Sequence, residues 1–312
     1  MPTSPNPTRA SPPAQGPALA QASSHEGRAR GAPAPRIRGT TSIIAHLGDP
    51  IAPVKAPMIY NPWFAQHGVD AVVVPMGVTA ADYARVLPAV FSFTNICGAL
   101  ITMPHKVTTV AMLAEASLAV RIAGSCNAVI RRADGALAGD LFDGAGFTRA
   151  ARGKGVTIAG RRALVVGTGG VGRAIAAALA AEGIGALRLH DLDTASAAEL
   201  AARIRTHYPH IAIECGAPDP AGMDIVVNAT PVGMRPGDPL PLDATRIAAG
   251  TFVGEVVMAA AKTPLLAAAE SRGCTIQPGT DMLFEQIPLY LAYFGLPSAT
   301  AAELRAVAQL DT

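Results

Sequence analysis

The chain has 312 residues, a net charge of +2, 50% hydrophobic residues and only 15% charged residues. The length fits two domains of roughly 100–200 residues each. The weak net charge gives no electrostatic field that would hold a nucleic acid or an anionic membrane. The mean hydropathy is +0.32, but no run of about 18 apolar residues lacks charges or Gly/Pro breaks, so we expect no membrane span.

The four cysteines are scattered and form no CxxC pair; they are Cys97, Cys126, Cys215 and Cys274. Such spacing predicts reduced thiols in a cytoplasmic protein rather than a disulfide framework. His207 and His210 have no third ligand nearby, so the sequence predicts no metal site.

Residues 1–38 are rich in Pro, Ala, Ser and Arg and contain one acid, Glu26. No apolar run follows the early charges, which argues against a secretory signal, and a transit peptide would need a clearer amphipathic helix. We expect a disordered extension, or an overcalled start codon, and exclude this segment from the fold.

In chain order, residues 39–144 alternate β-like and helical runs and predict a small α/β substrate-binding domain. The predicted strands are 42–47, 70–75, 98–102 and a hairpin of 128–131 with 137–140, and the predicted helices are 57–67, 83–92 and 106–115. The hairpin is indicated by the turn Ala133-Asp134-Gly135.

Residues 145–275 predict a second α/β domain of the Rossmann type, with a parallel sheet and right-handed crossovers. Its predicted strands are 163–166, 186–190, 224–228 and 252–257, and its predicted helices are 172–182, 196–207 and 263–272. Residues 276–312, with a helix at 282–294, are expected to return to the first domain and leave the active site in the cleft between the domains.

A glycine-rich loop follows the apolar run ALVV and precedes an alanine-rich helix. Its glycines let the backbone turn tightly and approach a pyrophosphate, and the helix start offers free N–H groups. Asp191 follows about 20 residues later, as a dinucleotide fingerprint requires. The alternative is a glycine turn that binds nothing. The candidate cofactor contacts here are Gly167, Gly169, Gly170, Val171, Gly172 and Asp191.

Asp191 also bears on which nicotinamide cofactor is used. Its carboxylate would accept hydrogen bonds from ribose hydroxyls and repel a 2′-phosphate. Leu192 follows where an NADP enzyme tends to offer a cation, Asp193 adds negative charge, and the nearest cation, Arg188, lies back in the strand. We therefore expect NAD, with NADP less favoured.

Several segments over about residues 42–296 resemble the shikimate/quinate dehydrogenase family, in the family's order. They are LGDPI at 47–51, TMPHK at 102–106, GSCNA at 124–128, GDLFDG at 139–144, NATPVGM at 228–234, KTPLL at 262–266 and GTDMLFEQ at 279–286. Each is weak alone, but together with the glycine loop they are specific. The resemblance implies a substrate domain, a Rossmann domain, and hydride transfer between a ring hydroxyl and a nicotinamide cofactor.

The resemblance implies that Lys106 and Asp143 form the catalytic pair. Oxidising an alcohol requires removing its proton as hydride leaves, and a neutral lysine amine can accept that proton. A helix start and partial desolvation disfavour the ammonium form, whereas Asp143 favours it and orients the amine. Taken alone, Lys106 is typical of a solvated lysine and Asp143 of a turn residue; the TMPHK context reverses that interpretation.

Further residues match family positions in the site. Those that contact the substrate are Thr102, Asn127 and Gln286, and those at the nicotinamide end of the cofactor are Thr230, Val256 and Gly279. Taken alone, Asn127 is typical of a turn cap and Gln286 of a polar helix face.

The departures from the family cluster where it holds the substrate carboxylate. Where the family has S-x-S-P, this chain has Val54-Lys-Ala56-Pro57, and where the family has a late tyrosine it has Met258. Leu100 replaces a common asparagine, and Leu141-Phe142-Asp143 replaces the N-T-D run. Three lost hydrogen bonds to a charged group, at roughly 1.5–3 kcal/mol each, would weaken carboxylate binding on the order of a thousandfold or more. Lys55 compensates only if it points into the site. We expect a hydroxylated ring or polyol that lacks the carboxylate or places it differently, with shikimate and quinate as reference substrates.

Two other functional hypotheses stay open. A methylenetetrahydrofolate dehydrogenase-like enzyme shares the two-domain plan and a lysine, but the contexts of Asn127, Asp143 and Gln286 argue against it. A non-catalytic sensor of NAD or a metabolite is disfavoured because Lys106 and Asp143 are both present. NADH formation with a panel of cyclic alcohols would separate these readings. We expect a monomer or a homodimer.

Overall fold

A computed structural model of the protein describes residues 36–258 and 262–310. The predicted extension, residues 1–38, lies outside the described residues except for its last three. Within the described part of the chain, no helix is both long enough and apolar enough to cross a membrane.

The first part of the chain forms a mixed six-stranded sheet. Its strands are β1 (Ser42–Gly48), β2 (Ala71–Gly77), β3 (Ile96–Ile101), β4 (Glu115–Ala116), β5 (Ala128–Arg131) and β6 (Leu137–Asp140). Its helices are α1 (Pro57–His67), α2 (Ala80–Val90), α3 (Lys106–Val110) and α4 (Leu118–Ala123). The strand order is β2-β1-β3-β5-β6-β4, with β1 parallel to both neighbours and β5 antiparallel to β3 and β6.

The second part forms a six-stranded parallel sheet in the order β12-β11-β10-β7-β8-β9. Its first elements are α5 (Asp143–Gly153), β7 (Arg162–Val166), α6 (Gly170–Ala181), β8 (Ala186–His190), α7 (Thr194–His207) and β9 (Ala212–Cys215). They are followed by β10 (Ile225–Asn228), a 3-10 turn (Ala244–Arg246), β11 (Phe252–Glu255), α8 (Pro264–Ser271), β12 (Thr275–Gln277), α9 (Gly279–Tyr293) and α10 (Ala301–Val307). The α/β architecture predicted from the sequence is confirmed.

Alternating side chains of β1 and β3 pack on opposite faces of the first sheet. Ile44 and Leu100 belong to the apolar cluster that includes residues of α1, α9 and α10. Ala45 and Ala99 belong to the cluster formed with α2 and α4. The last two helices therefore cover one face of the first sheet.

Helix α5 joins the two sheets through close contacts that require glycine. A Cβ at Gly144 would lie 2.0 Å from the carbonyl oxygen of Ala174 in α6. A Cβ at Gly146 would lie 2.8 Å from the Cβ of Gln286 in α9. Both helices consequently approach α5 at backbone distance. The predicted domain limits stay a prediction, and β12 spans the one at residue 275.

The predicted helix at 106–115 is wrong in its second half. Helix α3 ends at Val110, and Glu115–Ala116 instead pairs with β6 as the short strand β4. Most of the sequence KVTTV is β-branched and has low helix propensity, which favours an early end. Helix α4 was missed, although Ser117 caps its start and Gly124 ends it with a positive φ. Helix α5, strands β9 and β12 and helix α10 were also missed.

Candidate active site

Lys106 and Asp143 meet between the two sheets. The Nζ atom of Lys106 donates a hydrogen bond to Oδ2 of Asp143 at 2.5 Å. The two side chains are only 14% and 6% exposed, so the ion pair is largely shielded from water. Each is the first residue of a helix, Lys106 of α3 and Asp143 of α5. Taken alone Asp143 is typical of a turn residue, but in the structure it begins a helix, and that position stabilises the carboxylate.

The loop before Lys106 is held against the end of β1. The Thr102 N–H donates to the Leu47 carbonyl, and the Asp49 N–H donates to the Met103 carbonyl. A Cβ at Gly48 would lie 2.3 Å from Cγ2 of Thr102, so only glycine allows this contact. Thr102, the predicted substrate contact, is thereby held half-buried in the loop that leads to Lys106.

His105 anchors the same loop, a role that was not predicted from the sequence. Its ring stacks on Tyr83 with centroids 3.9 Å apart and an interplanar angle of 1°. Its Nε2 atom lies 2.8 Å from the Val78 carbonyl oxygen, to which the N–H form donates. Helix α3 has only five residues, so the dipole that the sequence analysis invoked at Lys106 is smaller than a ten-residue helix would supply.

Asn127 and Gln286 are buried and each has one polar atom without a partner among the described residues. Asn127 is 1% exposed, and its Oδ1 accepts the N–H of Phe142 at 3.0 Å while Nδ2 is unpaired. Gln286 is 8% exposed and its Oε1 is unpaired. Asn127 therefore positions the residue next to Asp143, and both amides retain hydrogen-bonding capacity for a ligand.

The three positions predicted to differ from the family at the substrate carboxylate present no hydroxyl group. Val54 is half-buried, Ala56 is buried, and Met258 is 45% exposed. Phe142 packs edge-on against Tyr290 and Tyr293, with centroids 5.1 and 5.5 Å away. This aromatic group was not predicted, because it unites residues that lie far apart in the sequence.

The glycine loop has the shape that a dinucleotide site needs. Gly167 has a φ of +96°, and a Cβ at Gly172 would lie 1.9 Å from the Gly167 carbonyl oxygen. Gly169 caps α6 with open space around it, and Val171 packs on the core of the second sheet. A Cβ at Gly170 would lie 4.0 Å from Cδ of Lys106, so the loop adjoins the ion pair. This cradle fits a pyrophosphate.

The residues predicted at the nicotinamide end lie beyond β10 and β11. Gly279 begins α9, and its added Cβ would lie 2.7 Å from the carbonyl carbon of Val256. The Thr230 hydroxyl donates to Oδ1 of Asn228 at 2.6 Å. The structure thus brings Gly279 and Val256 into contact, and holds Thr230 in a turn after β10.

Asp191 is engaged by its own chain. Its carboxylate accepts the Thr168 N–H at 2.6 Å, the Thr168 hydroxyl at 2.9 Å and the Asp193 N–H at 2.9 Å. Burial raises the pKa of Asp191, but these donors together outweigh it and the net shift is downward. Arg173 donates to the Thr168 carbonyl at 2.8 Å and to the Ser196 hydroxyl at 2.9 Å, which places a cation beside the loop.

Fold and site together define the class of this protein as an NAD(P)-dependent oxidoreductase. Residues 47–129 match the family model of the shikimate dehydrogenase substrate binding domain. The chain is 34% identical over 275 residues to the shikimate dehydrogenase (NADP(+)) of Acidiphilium cryptum, covering 87% of this chain and 98% of that protein. The chain belongs to the shikimate dehydrogenase family, as the sequence predicted.

Two solved structures show the same architecture over most of both chains. The shikimate 5-dehydrogenase of Listeria monocytogenes, in complex with shikimate and NAD, has a TM-score of 0.81 at 27% identity and covers 87% of this chain and 98% of its own. The ligand-free 5-ketofructose reductase of a Gluconobacter strain has a TM-score of 0.80 at 25% identity and covers 87% and 99%.

The prediction that NAD is preferred over NADP is wrong on this comparison. The Acidiphilium relative and seven further curated relatives are named as NADP(+) enzymes. Asp191 is a weak indicator of the cofactor in this chain, because its carboxylate already accepts two hydrogen bonds from Thr168 within the loop. A cation closer to the loop than Arg188 is Arg173, which donates to the Thr168 carbonyl and pairs with Glu199 at 3.4 Å.

Proposed function

We propose that this enzyme oxidises a ring hydroxyl of a small polyhydroxylated substrate of the shikimate and quinate type, or reduces the matching ketone. The observation that carries the proposal is the shielded ion pair of Lys106 and Asp143 beside the glycine loop. Bound at that loop, a nicotinamide cofactor would accept or supply the hydride.

In this proposal Lys106 is the general base in oxidation and the general acid in reduction. In the oxidation direction, its neutral amine takes the hydroxyl proton at Nζ as the carbon–hydrogen bond breaks, and Asp143 holds the resulting ammonium. In the reduction direction, the ammonium returns that proton to the alkoxide oxygen. The low exposure of both side chains strengthens their mutual electrostatic interaction relative to water. Asp143 also orients the amine, since their hydrogen bond is 2.5 Å long.

The amides orient the substrate. The unpaired Nδ2 of Asn127 is a donor, and the unpaired Oε1 of Gln286 is an acceptor. Together with the hydroxyl of Thr102, they suit a ligand that carries several ring hydroxyl groups. The close packing of α5 on α9 at Gly146 keeps Gln286 near Asp143.

The carboxylate pocket is altered in this proposal. Val54, Ala56 and Met258 stand where the family has hydroxyl groups, and they cannot donate hydrogen bonds from their side chains. A second candidate is therefore a carboxylate-free cyclic polyol. Similarity to a protein whose name gives 5-ketofructose as its substrate supports this candidate, because 5-ketofructose has no carboxylate.

The first experiment follows cofactor reduction at 340 nm with shikimate, quinate and carboxylate-free cyclitols, each with NAD and with NADP. Turnover of shikimate or quinate supports the main proposal, and turnover of only carboxylate-free alcohols supports the second candidate. Cofactor binding without turnover of any alcohol would favour a non-catalytic sensor and would overturn both candidate enzyme functions.

We also propose where in the cell this enzyme works and how many chains it contains. The four cysteines are all free, which supports a reducing compartment such as the cytoplasm. A monomer or a homodimer is proposed, and light scattering after gel filtration measures that state.

A further inference from the structure

His46 lies on β1, just before the turn that leads to the substrate side of the site. It pairs in register with Leu100 of β3 on one side and with Pro75 of β2 on the other. Since side chains alternate along a strand, His46 shares a face with Ile44. That face packs against α1 and α9, and α9 carries Gln286.

His46 is a polar group in an apolar setting. It is 8% exposed, and its Nδ1 is buried without a hydrogen-bond partner among the described residues. Most buried polar atoms in proteins are paired, so this imidazole nitrogen has the capacity to form one more hydrogen bond, for example with a bound ligand. Its neighbour Leu100 is apolar and cannot provide one.

Four other buried side chains near this face have unpaired polar atoms: Tyr60 and Trp63 on α1, Asn127 beside β5, and Gln286 on α9. Asn127 directly precedes Ala128, which pairs in register with Leu100, the neighbour of His46. Gln286 lies on α9 between Phe284 and Ile287, which pack in the same cluster as Ile44. His46, Asn127 and Gln286 thus lie on three neighbouring segments of the chain, and each has an unpaired buried atom.

We propose that His46 is a specificity-determining residue that hydrogen-bonds a hydroxyl group of the substrate. The contacted hydroxyl lies in the half of the pocket bounded by the loop that carries Val54 and Ala56. This inference rests on the proposed function and deepens it by naming the group that this half of the pocket recognises.

The charge state of His46 sets the kind of group that it recognises. Burial, with the nearby Lys106 ammonium as a second cause, lowers the pKa of His46 to about 4. The ring is therefore neutral at neutral pH and offers one donor and one acceptor. A neutral imidazole suits an uncharged hydroxyl group better than it suits a carboxylate, which a cation binds more strongly.

The test compares two variants with the native enzyme. His46→Leu removes both ring nitrogens at similar volume, and His46→Gln keeps a hydrogen-bonding group. The substrates are shikimate, quinate and 5-ketofructose, together with analogues of the best substrate that each lack one hydroxyl. His67→Leu is the matched control, because His67 is exposed at the end of α1. Thermal denaturation shows whether each variant is folded.

We expect His46→Leu to raise the KM of the best substrate roughly 10-fold or more, with kcat changed less than about threefold. His46→Gln should recover most of that loss. The analogue that lacks the contacted hydroxyl should have the same KM with the native enzyme and with His46→Leu.

Unchanged KM in a folded His46→Leu variant would overturn the inference while leaving the proposed function intact. An equal rise in KM for every analogue would also overturn the inference, because it would indicate that His46 only packs against its neighbours. Absence of turnover by the native enzyme would overturn the proposed function and the inference with it.

Discussion

Replacing Lys106 by methionine keeps most of the side-chain volume and removes the ammonium group. If Lys106 carries the proton, kcat/KM falls by about 10²–10⁴-fold, the usual contribution of a general acid or base. Breaking a fully buried ion pair costs about 3–5 kcal/mol. Lys106 is 14% exposed, and the start of α5 favours the remaining carboxylate by about 0.3–1 kcal/mol. We therefore expect the free energy of unfolding to fall by about 2 kcal/mol.

Three measurements check this prediction: steady-state kinetics at 340 nm, cofactor affinity by fluorescence titration, and urea unfolding. Cofactor affinity should stay within about threefold of the native value, since glycine backbone forms the loop. Lys154→Met is the matched control, because Lys154 pairs with Asp281 at 2.9 Å with 33% of its side chain exposed. A pair of that exposure contributes about 0–1 kcal/mol, and its loss should leave activity unchanged.

A double variant separates stability from catalysis. Lys106→Met combined with Asp143→Leu leaves no unpaired buried charge, so the free energy of unfolding should return towards the native value while activity stays lost. A Lys106→Met variant that retains more than about a tenth of the native kcat/KM would show that Lys106 does not carry the proton. Activity regained in the double variant would show the same.

Three further predictions concern the cofactor loop, the pocket and the core histidine. Gly172→Ala puts a Cβ 1.9 Å from a loop carbonyl oxygen; we expect at least about tenfold weaker cofactor binding by titration, and an unchanged Kd would contradict this. Val54→Ser, Ala56→Ser and Met258→Tyr together add three hydroxyl groups and should raise kcat/KM for shikimate on the order of a thousandfold. An unchanged kcat/KM would show that these positions do not contact the substrate carboxylate. The pKa of His46 is lowered from 6.5 to about 4, so its contribution to stability is complete above pH 6.5 and is lost as pH falls towards 4. From pH 7 to pH 5 the native protein should lose about 2 kcal/mol more than His46→Gln in urea unfolding, and equal losses would refute this.

The sequence by itself determined the α/β class and the glycine loop, and it singled out Lys106 and Asp143, whose side chains the structure places in contact. These features are encoded locally. Strand and helix periodicity shows within about ten residues. The loop needs glycine where Gly167 has a positive φ and where a side chain at Gly172 would meet the backbone. Lys106 stands inside a contiguous motif, so its importance was visible before its position was known.

Only the tertiary structure decided what depends on contacts between distant segments. Strand β4 exists because it pairs with β6, against the local helical pattern of residues 106–115. The carboxylate of Asp191 accepts hydrogen bonds from Thr168, which a sequence motif cannot reveal, and the cofactor preference drawn from Asp191 and its sequence neighbours was wrong. In the sequence His46 is an ordinary strand residue, and its burial becomes visible only when β3 and the covering helices are in place. Burial and hydrogen-bond pairing are properties of the packed chain, and no window of sequence contains them.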